Sequence, residues 1–253
     1  MYENRYIFTG NAVGLGGNIT EPPHKRLLVQ GCSSIPATGG ESRSSVSAYR
    51  IGGILSLQSA ATRAAGASDQ RKTSHATLVA SRVKGLNVED KLTVGLIRIA
   101  LFARKRSGND RPLRSRIDIA VDDMKIEGYP VRIRFDTGFC RRYDSREKLT
   151  QALQQPGAAQ ERVLPDSSEE QRRNPFPHGV VPVSLVEKIE CDHPNVEIRG
   201  NLIYLPGFGR IHIGELLVGE FFRRLTAIRL KLGSPVHGDL AIAEGHSNGH
   251  DIP

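Results

Sequence analysis

Residues 117–121 read Ile117-Asp118-Ile119-Ala120-Val121, and residues 131–135 read Val131-Arg132-Ile133-Arg134-Phe135. In both, apolar side chains take every second position. A strand repeats its side-chain direction every two residues, so each run buries one face and wets the other. The same period returns in Ile211-His212-Ile213, in Ile228-Arg229-Leu230-Lys231-Leu232 and in Leu240-Ala241-Ile242. The wet positions are rich in arginine and lysine, which opposes edge-to-edge pairing with other chains.

Working outward, turn chemistry separates these runs at Gly85-Leu86-Asn87, Glu127-Gly128-Tyr129-Pro130, Pro206-Gly207-Phe208-Gly209 and Gly233-Ser234-Pro235. Between Leu92 and Leu101 the apolar parity flips, from Leu92/Val94/Leu96 to Ile97/Ile99/Leu101, as a β-bulge would produce. Leu216 to Phe222 has helical spacing too, but Gly219 and the alternation that follows favour a hairpin. One short helix is expected near 145–155: Asp144-Ser145-Arg146-Glu147 supplies a cap with a glutamate three residues on, and Pro156-Gly157 stops it.

Residues 154–179 are polar and proline-bearing, and read as a linker or long loop. The expected organisation is a β-rich region over 1–153, that linker, and a β-rich segment over 180–253 that completes the same domain. The fold class is therefore all-β: an antiparallel sandwich or stacked-sheet architecture with one short helix and a long central loop.

Composition narrows the classes of function. The 253 residues are 38% hydrophobic and carry a formal net charge of +8, with 26 glycines, 14 prolines and no tryptophan. No run approaches the ~18 consecutive apolar residues of a membrane-spanning helix. The first ten residues have neither the basic start nor the roughly 7–15 apolar residues of a secretory signal, so the expected compartment is the cytoplasm, with signal-independent export left open. Cys32, Cys140 and Cys191 are odd in number and form no disulfide framework.

The charge is concentrated. Arg98, Arg104, Lys105, Arg106, Arg111, Arg114 and Arg116 face only Asp110 within 19 residues. Of these, Arg104, Lys105, Arg106, Arg111, Arg114 and Arg116 form the candidate site for an anionic partner such as nucleic acid, an acidic lipid surface or an acidic polysaccharide. A solvated hairpin loop explains the same residues, since Ser107-Gly108-Asn109-Asp110 is a turn signal. No aromatic lies between Arg104 and Arg116 on which a base could stack.

Catalytic motifs do not assemble. Gly245-His246-Ser247-Asn248-Gly249 matches the nucleophile-elbow pattern, but only four residues follow it, too few for the helix and partners that chemistry needs. His246 and His250 would share a face as zinc ligands only on a helix, and Ser247-Asn248-Gly249 is a poor one. Cys191 and His193 could in principle share a metal or form a nucleophile pair; a strand end entering a turn explains them more simply. Gly14-Leu15-Gly16-Gly17 lacks the last glycine of a dinucleotide fingerprint, and Asp122-Asp123, Glu169-Glu170 and Glu187/Glu190 do not make a poised dyad. Ile35-Pro36-Ala37-Thr38-Gly39 resembles a sortase signal but sits far from the C-terminus and reads as a turn. No catalytic residue, cofactor or metal is expected.

Several segments taken together resemble the choice-of-anchor P family of β-rich bacterial proteins. They are Ser81-Arg82-Val83-Lys84-Gly85-Leu86-Asn87-Val88, Leu92-Thr93-Val94 and Met124 to Val131. Leu205 to Glu215, Leu225 to Leu232 and Gly238 to Ile242 continue the match in order. The resemblance implies a β-rich protein of the kind found secreted or surface-attached, and brings no catalytic residue. It extends to uncharacterised bacterial proteins without a signal peptide. The leading expectation is a non-enzymatic structural or self-associating protein. The alternatives are a binding module for an acidic polymer and a hydrolase built on the C-terminal histidines and Ser247.

Overall fold

The computed structural model describes residues 5–21, 25–71, 73–106, 113–155, 157, 162, 164 and 179–252. Among them the chain forms β1 (Arg5–Glu21), β2 (Lys25–Ser34), β3 (Gly40–Ile51), β4 (Leu55–Ser68), β5 (Ser74–Val88), β6 (Leu92–Arg106), β7 (Arg114–Ile126) and β8 (Tyr129–Phe135). Two helices follow, α1 (Phe139–Arg142) and α2 (Arg146–Gln154). The remaining strands are β9 (Val181–Ser184), β10 (Val186–Cys191), β11 (Glu197–Arg199), β12 (Leu202–Leu205), β13 (Gly209–Val218), β14 (Phe222–Leu232) and β15 (His237–Ile252).

These strands make two antiparallel sheets packed face to face, neither closed into a barrel. One runs β11-β12-β13-β14-β15-β1-β2, with β9 beside β13; the other runs β10-β8-β7-β6-β5-β4-β3. The N- and C-terminal regions interleave, because β15 pairs with β1 and β10 pairs with β8. The crossing from β9 to β10 takes one residue. The Leu185 amide donates to the Gly214 carbonyl in one sheet, and the Leu185 carbonyl accepts from the Asp136 amide at the end of β8, both at 2.8 Å. No helix among the described residues is long and apolar enough to cross a membrane.

The alternation read from sequence becomes the core. Ile117, Ile119, Ile211, Ile213, Ile228, Leu230, Leu240 and Ile242 all point between the sheets and are buried. The two sheets approach closely at Gly14, where a Cβ would lie 2.6 Å from the Ala60 Cβ of the facing sheet and 2.7 Å from the Gln30 carbonyl oxygen of neighbouring β2. Any side chain there would force the layers apart.

The parity flip in β6 is not a bulge. Val94 still faces Met124 and Leu96 faces Asp122, so the register is unchanged across Gly95 and Asp123. The partner strands flip at the same level. A transverse line crosses the sheet through Ala48, Gln58, Gly85, Gly95 and Asp123, the positions at which pairing is interrupted. The other sheet has its own line through Gly31, Gly14, Ala243, Ala227 and Gly214. In each line alternate strands hold a left-handed residue: Ala48, Gly85 and Asp123, and Gly31, Ala243 and Gly214, all with φ between +52° and +62°. A bulge in one strand would slip its register by one; matched kinks turn every strand's inward face over together and keep the pairs.

Two local readings change accordingly. Gly85-Leu86-Asn87 is not a turn but part of β5, and the chain reverses at Glu89-Asp90-Lys91. The cap of α2 is Ser145, whose Oγ accepts from the Lys148 amide, while Asp144 pairs with the Lys148 ammonium at 2.8 Å. The short α1, with Phe139 and Cys140 buried, had no periodic signal to announce it. The hairpins at Glu127-Gly128, at residues 206–208 and across Gly219 form as read. The segment 35–39 links β2 to β3 through a turn closed by the Gly39 amide on the Pro36 carbonyl. The turn Ser107-Gly108-Asn109-Asp110 and most of the linker lie outside the described residues.

A candidate anion-binding face

Outward-facing positions on β5, β6 and β7 are set by the same alternation that fills the core. Pairing places Arg82 opposite Arg98, Ala80 opposite Ala100 and Leu78 opposite Phe102. The next strand sets Ala120 beside Arg98, Asp118 beside Ala100, Arg116 beside Phe102 and Arg114 beside Arg104. The result is a lattice with arginines at both ends and, between them, a floor of small and apolar side chains that also holds the Asp118 carboxylate. Arg98 and Arg104 are six residues apart on one strand, about 20 Å at a rise of about 3.4 Å per residue.

Arg82, Lys84, Arg98, Arg104, Arg114 and Arg116 are all exposed. Among the described residues, Arg82, Arg98 and Arg116 make no ion pair. Like charges directly across a strand pair destabilise a sheet, and this face contains two such pairs, Arg82 with Arg98 and Arg104 with Arg114. Arg104 is oriented through its Nε, which donates to Ser74 Oγ at 2.7 Å and leaves the end of its guanidinium free to point outward. At the far edge Arg43 and Arg63 share Glu41, at 2.5 and 2.9 Å.

At the end of the lattice, Ala100, Phe102, Arg104, Arg114, Arg116 and Asp118 line an open pocket of about 610 Å³. Phe102 is 40% exposed. Of the six residues proposed from sequence, then, Arg104, Arg114 and Arg116 come together, and Arg106 is exposed at the end of the same strand. Arg111 lies outside the described residues. Lys105 does not belong to the group. Its position on β6 has inward parity, it is 3% exposed, and its ammonium sits 5.2 Å from the centre of the Phe221 ring. Arg82, Phe102 and Asp118 were not singled out. Counting charge per strand face rather than per stretch of sequence would have found them.

The outer face of the other sheet is built differently. A groove of about 830 Å³ lies over β13, β14, β15, β1 and β2. Arg229 makes two hydrogen bonds to Glu215, each 2.7 Å, and Arg224 reaches Glu244 at 2.7 Å. Thr226, between the two glutamates in register, donates to Glu244 at 3.1 Å. Arg224 and Arg229 at its centre are thus both ion-paired within the sheet.

The catalytic candidates are dispersed. Gly245 to Gly249 lies within β15, with Ser247 fully buried and its hydroxyl without a hydrogen-bond partner among the described residues. His246 and His250 are therefore four residues apart on a strand, about 13 Å, not one helical turn. Burial holds the His246 pKa below its usual value, with the nearby Arg224 acting in the same direction and Glu244 against it. His193 Nε2 contacts Glu127 at 3.0 Å and its Nδ1 accepts from the Asn195 amide, so both ring nitrogens are engaged. Burial pushes the Cys140 thiol up to about 11, unsuited to nucleophilic work. Glu187 pairs with Arg134, and Glu190 with Lys188. No group of three or more His, Cys, Asp or Glu side chains among the described residues could hold a metal ion.

No curated protein and no solved structure matches the chain. A family model described as a domain of unknown function, DUF8256, matches residues 6–152 and 141–219. Those two overlapping matches span most of the sandwich, from β1 to β13, and on that ground the chain belongs to the DUF8256 family.

Proposed function

We propose that the chain is a non-catalytic module that binds an acidic polymer across the outer face of its seven-stranded sheet. The observation that carries this reading is the Arg82–Arg98 pair: two like charges side by side in mid-sheet, neither in an ion pair among the described residues. Such an arrangement weakens the isolated sheet, and a polyanion lying across it would relieve the repulsion. Binding of this kind is salt-dependent, because bound polymer releases its counterions. Retention on immobilised heparin tests it. Arg82→Glu with Arg98→Glu should lower the salt needed for elution sharply, and unchanged elution would remove the proposal.

A second reading, self-association, is supported by β2. This strand is the edge of its sheet and exposes Leu28 at 79% and Val29 at 51%. Exposed edges with apolar side chains are templates for pairing with another copy. Light scattering after size exclusion should then show mass rising with concentration, and falling to monomer in Leu28→Lys.

A further inference from the structure

Resting on the anion-binding reading above, we infer that the pocket at the end of the lattice is a subsite for one acid-bearing sugar unit, so that the polymer is an acidic polysaccharide. The chemistry is in a two-by-three array on β6 and β7: Arg104 beside Arg114, Phe102 beside Arg116, and Ala100 beside Asp118. The arginines suit any anion, and Phe102 and Asp118 have roles that a saccharide satisfies and a bare phosphate chain does not.

Phe102 offers a flat apolar ring open to solvent, a platform for the C–H face of a pyranose. Ala100 leaves the floor beside it low. Arg116, Arg114 and the outer end of Arg104 present forked donors suited to a carboxylate or sulfate. Asp118 is the discriminating group. It is exposed, sits on the same strand face as Arg116 two residues away, and is in no ion pair among the described residues. An ionised carboxylate can only accept hydrogen bonds. Sugar hydroxyls donate them. The DNA backbone, whose contacts are phosphate and sugar oxygens without hydroxyl donors, would meet Asp118 as a repelling charge. The lone aromatic in the lattice is also a poor track for successive bases, which need a series of platforms. The pocket, about 610 Å³, lies within the range of about 300–1,000 Å³ usual for small-ligand sites.

The test is calorimetric titration of the full chain with oligogalacturonate, a uronate chain without sulfate, and in parallel with a 20-base-pair DNA duplex. Wild type is compared with Phe102→Ala, Asp118→Asn and Arg98→Ala. All three positions are exposed, and thermal melts confirm folding. Phe102→Ala and Asp118→Asn should each weaken oligogalacturonate binding about tenfold, the effect of losing a stacking platform or a charged hydrogen bond. Asp118→Asn should leave DNA binding unchanged or tighten it, while Arg98→Ala weakens both. If Asp118→Asn tightens oligogalacturonate as well, the carboxylate is only a repelling charge and the sugar subsite is overturned. Duplex binding with no oligogalacturonate binding also overturns it, and leaves the anion-binding face standing. Binding of neither polymer removes the face itself.

Discussion

The two outer faces of this sandwich are made of the same ingredients and handle charge in opposite ways. At the centre of β13, β14 and β15 two arginines are answered by glutamates on neighbouring strands, Arg229 by Glu215 and Arg224 by Glu244, although Arg210 stands opposite Lys231 nearer one end. On β5, β6 and β7 arginine stands opposite arginine, at Arg82 with Arg98 and at Arg104 with Arg114. Cross-strand pairs of opposite sign stabilise a sheet and pairs of like sign do not. Stability explains the two ion pairs of the first face. The second is a cost to the free protein, and it makes sense if the compensating charge arrives from outside.

The largest contrast should appear when one arginine is removed from each face. Arg229→Ala strands a nearly buried Glu215 carboxylate and should cost about 2–3 kcal/mol in chemical denaturation. Arg98→Ala should be neutral or raise stability by a few tenths of a kcal/mol, up to about 1 kcal/mol, as repulsion from Arg82 is relieved. Equal losses at both positions would erase the distinction.

The kink lines give a second comparison, because both sheets have one but the residues in them differ. Ala48 is exposed and holds φ +53°, a conformation glycine adopts without strain. Ala48→Gly should stabilise by about 1 kcal/mol. Ala243 has nearly the same φ but is fully buried, so Ala243→Gly gains the same relief and loses a packed methyl, which leaves a net change near zero. A large loss in Ala48→Gly would contradict the matched-kink account.

The smallest expected effect lies on the ion-paired face. His246 has its pKa lowered by burial, so the folded state prefers the neutral ring and the unfolded state takes up protons first. Its contribution is full above the unfolded value of 6.5 and is lost as pH falls through the lower folded value. His246→Gln should flatten that part of the stability profile, measured by melts from pH 8 downward, without altering polyanion binding on the other sheet.

Much of the architecture was legible because burial writes a period of two into any strand with one wet face. Ile117 to Val121 and Ile228 to Leu232 state their inward residues outright, and Glu127-Gly128 states its hairpin. The capped start of α2 was also readable, displaced by one residue. The kink line was not: a parity flip in β6 alone looks like a bulge, and only the simultaneous flips in β5 and β7 show the register to be intact. The arginine lattice was half legible for a similar reason. A run of basic residues can be counted along the chain, but parity sends Lys105 inward between two outward arginines. Register, which the sequence does not encode locally, brings Arg82, Phe102 and Asp118 to the same surface.

If the arginine lattice is a polyanion site, heparin binding followed by calorimetry at several salt concentrations reads it most directly. Arg82→Glu with Arg98→Glu should weaken binding at least about 100-fold and flatten its dependence on salt, whereas Arg224→Ala on the opposite face changes neither. Equal weakening by the two variants, or heparin affinity unaltered by the double reversal, would contradict the account.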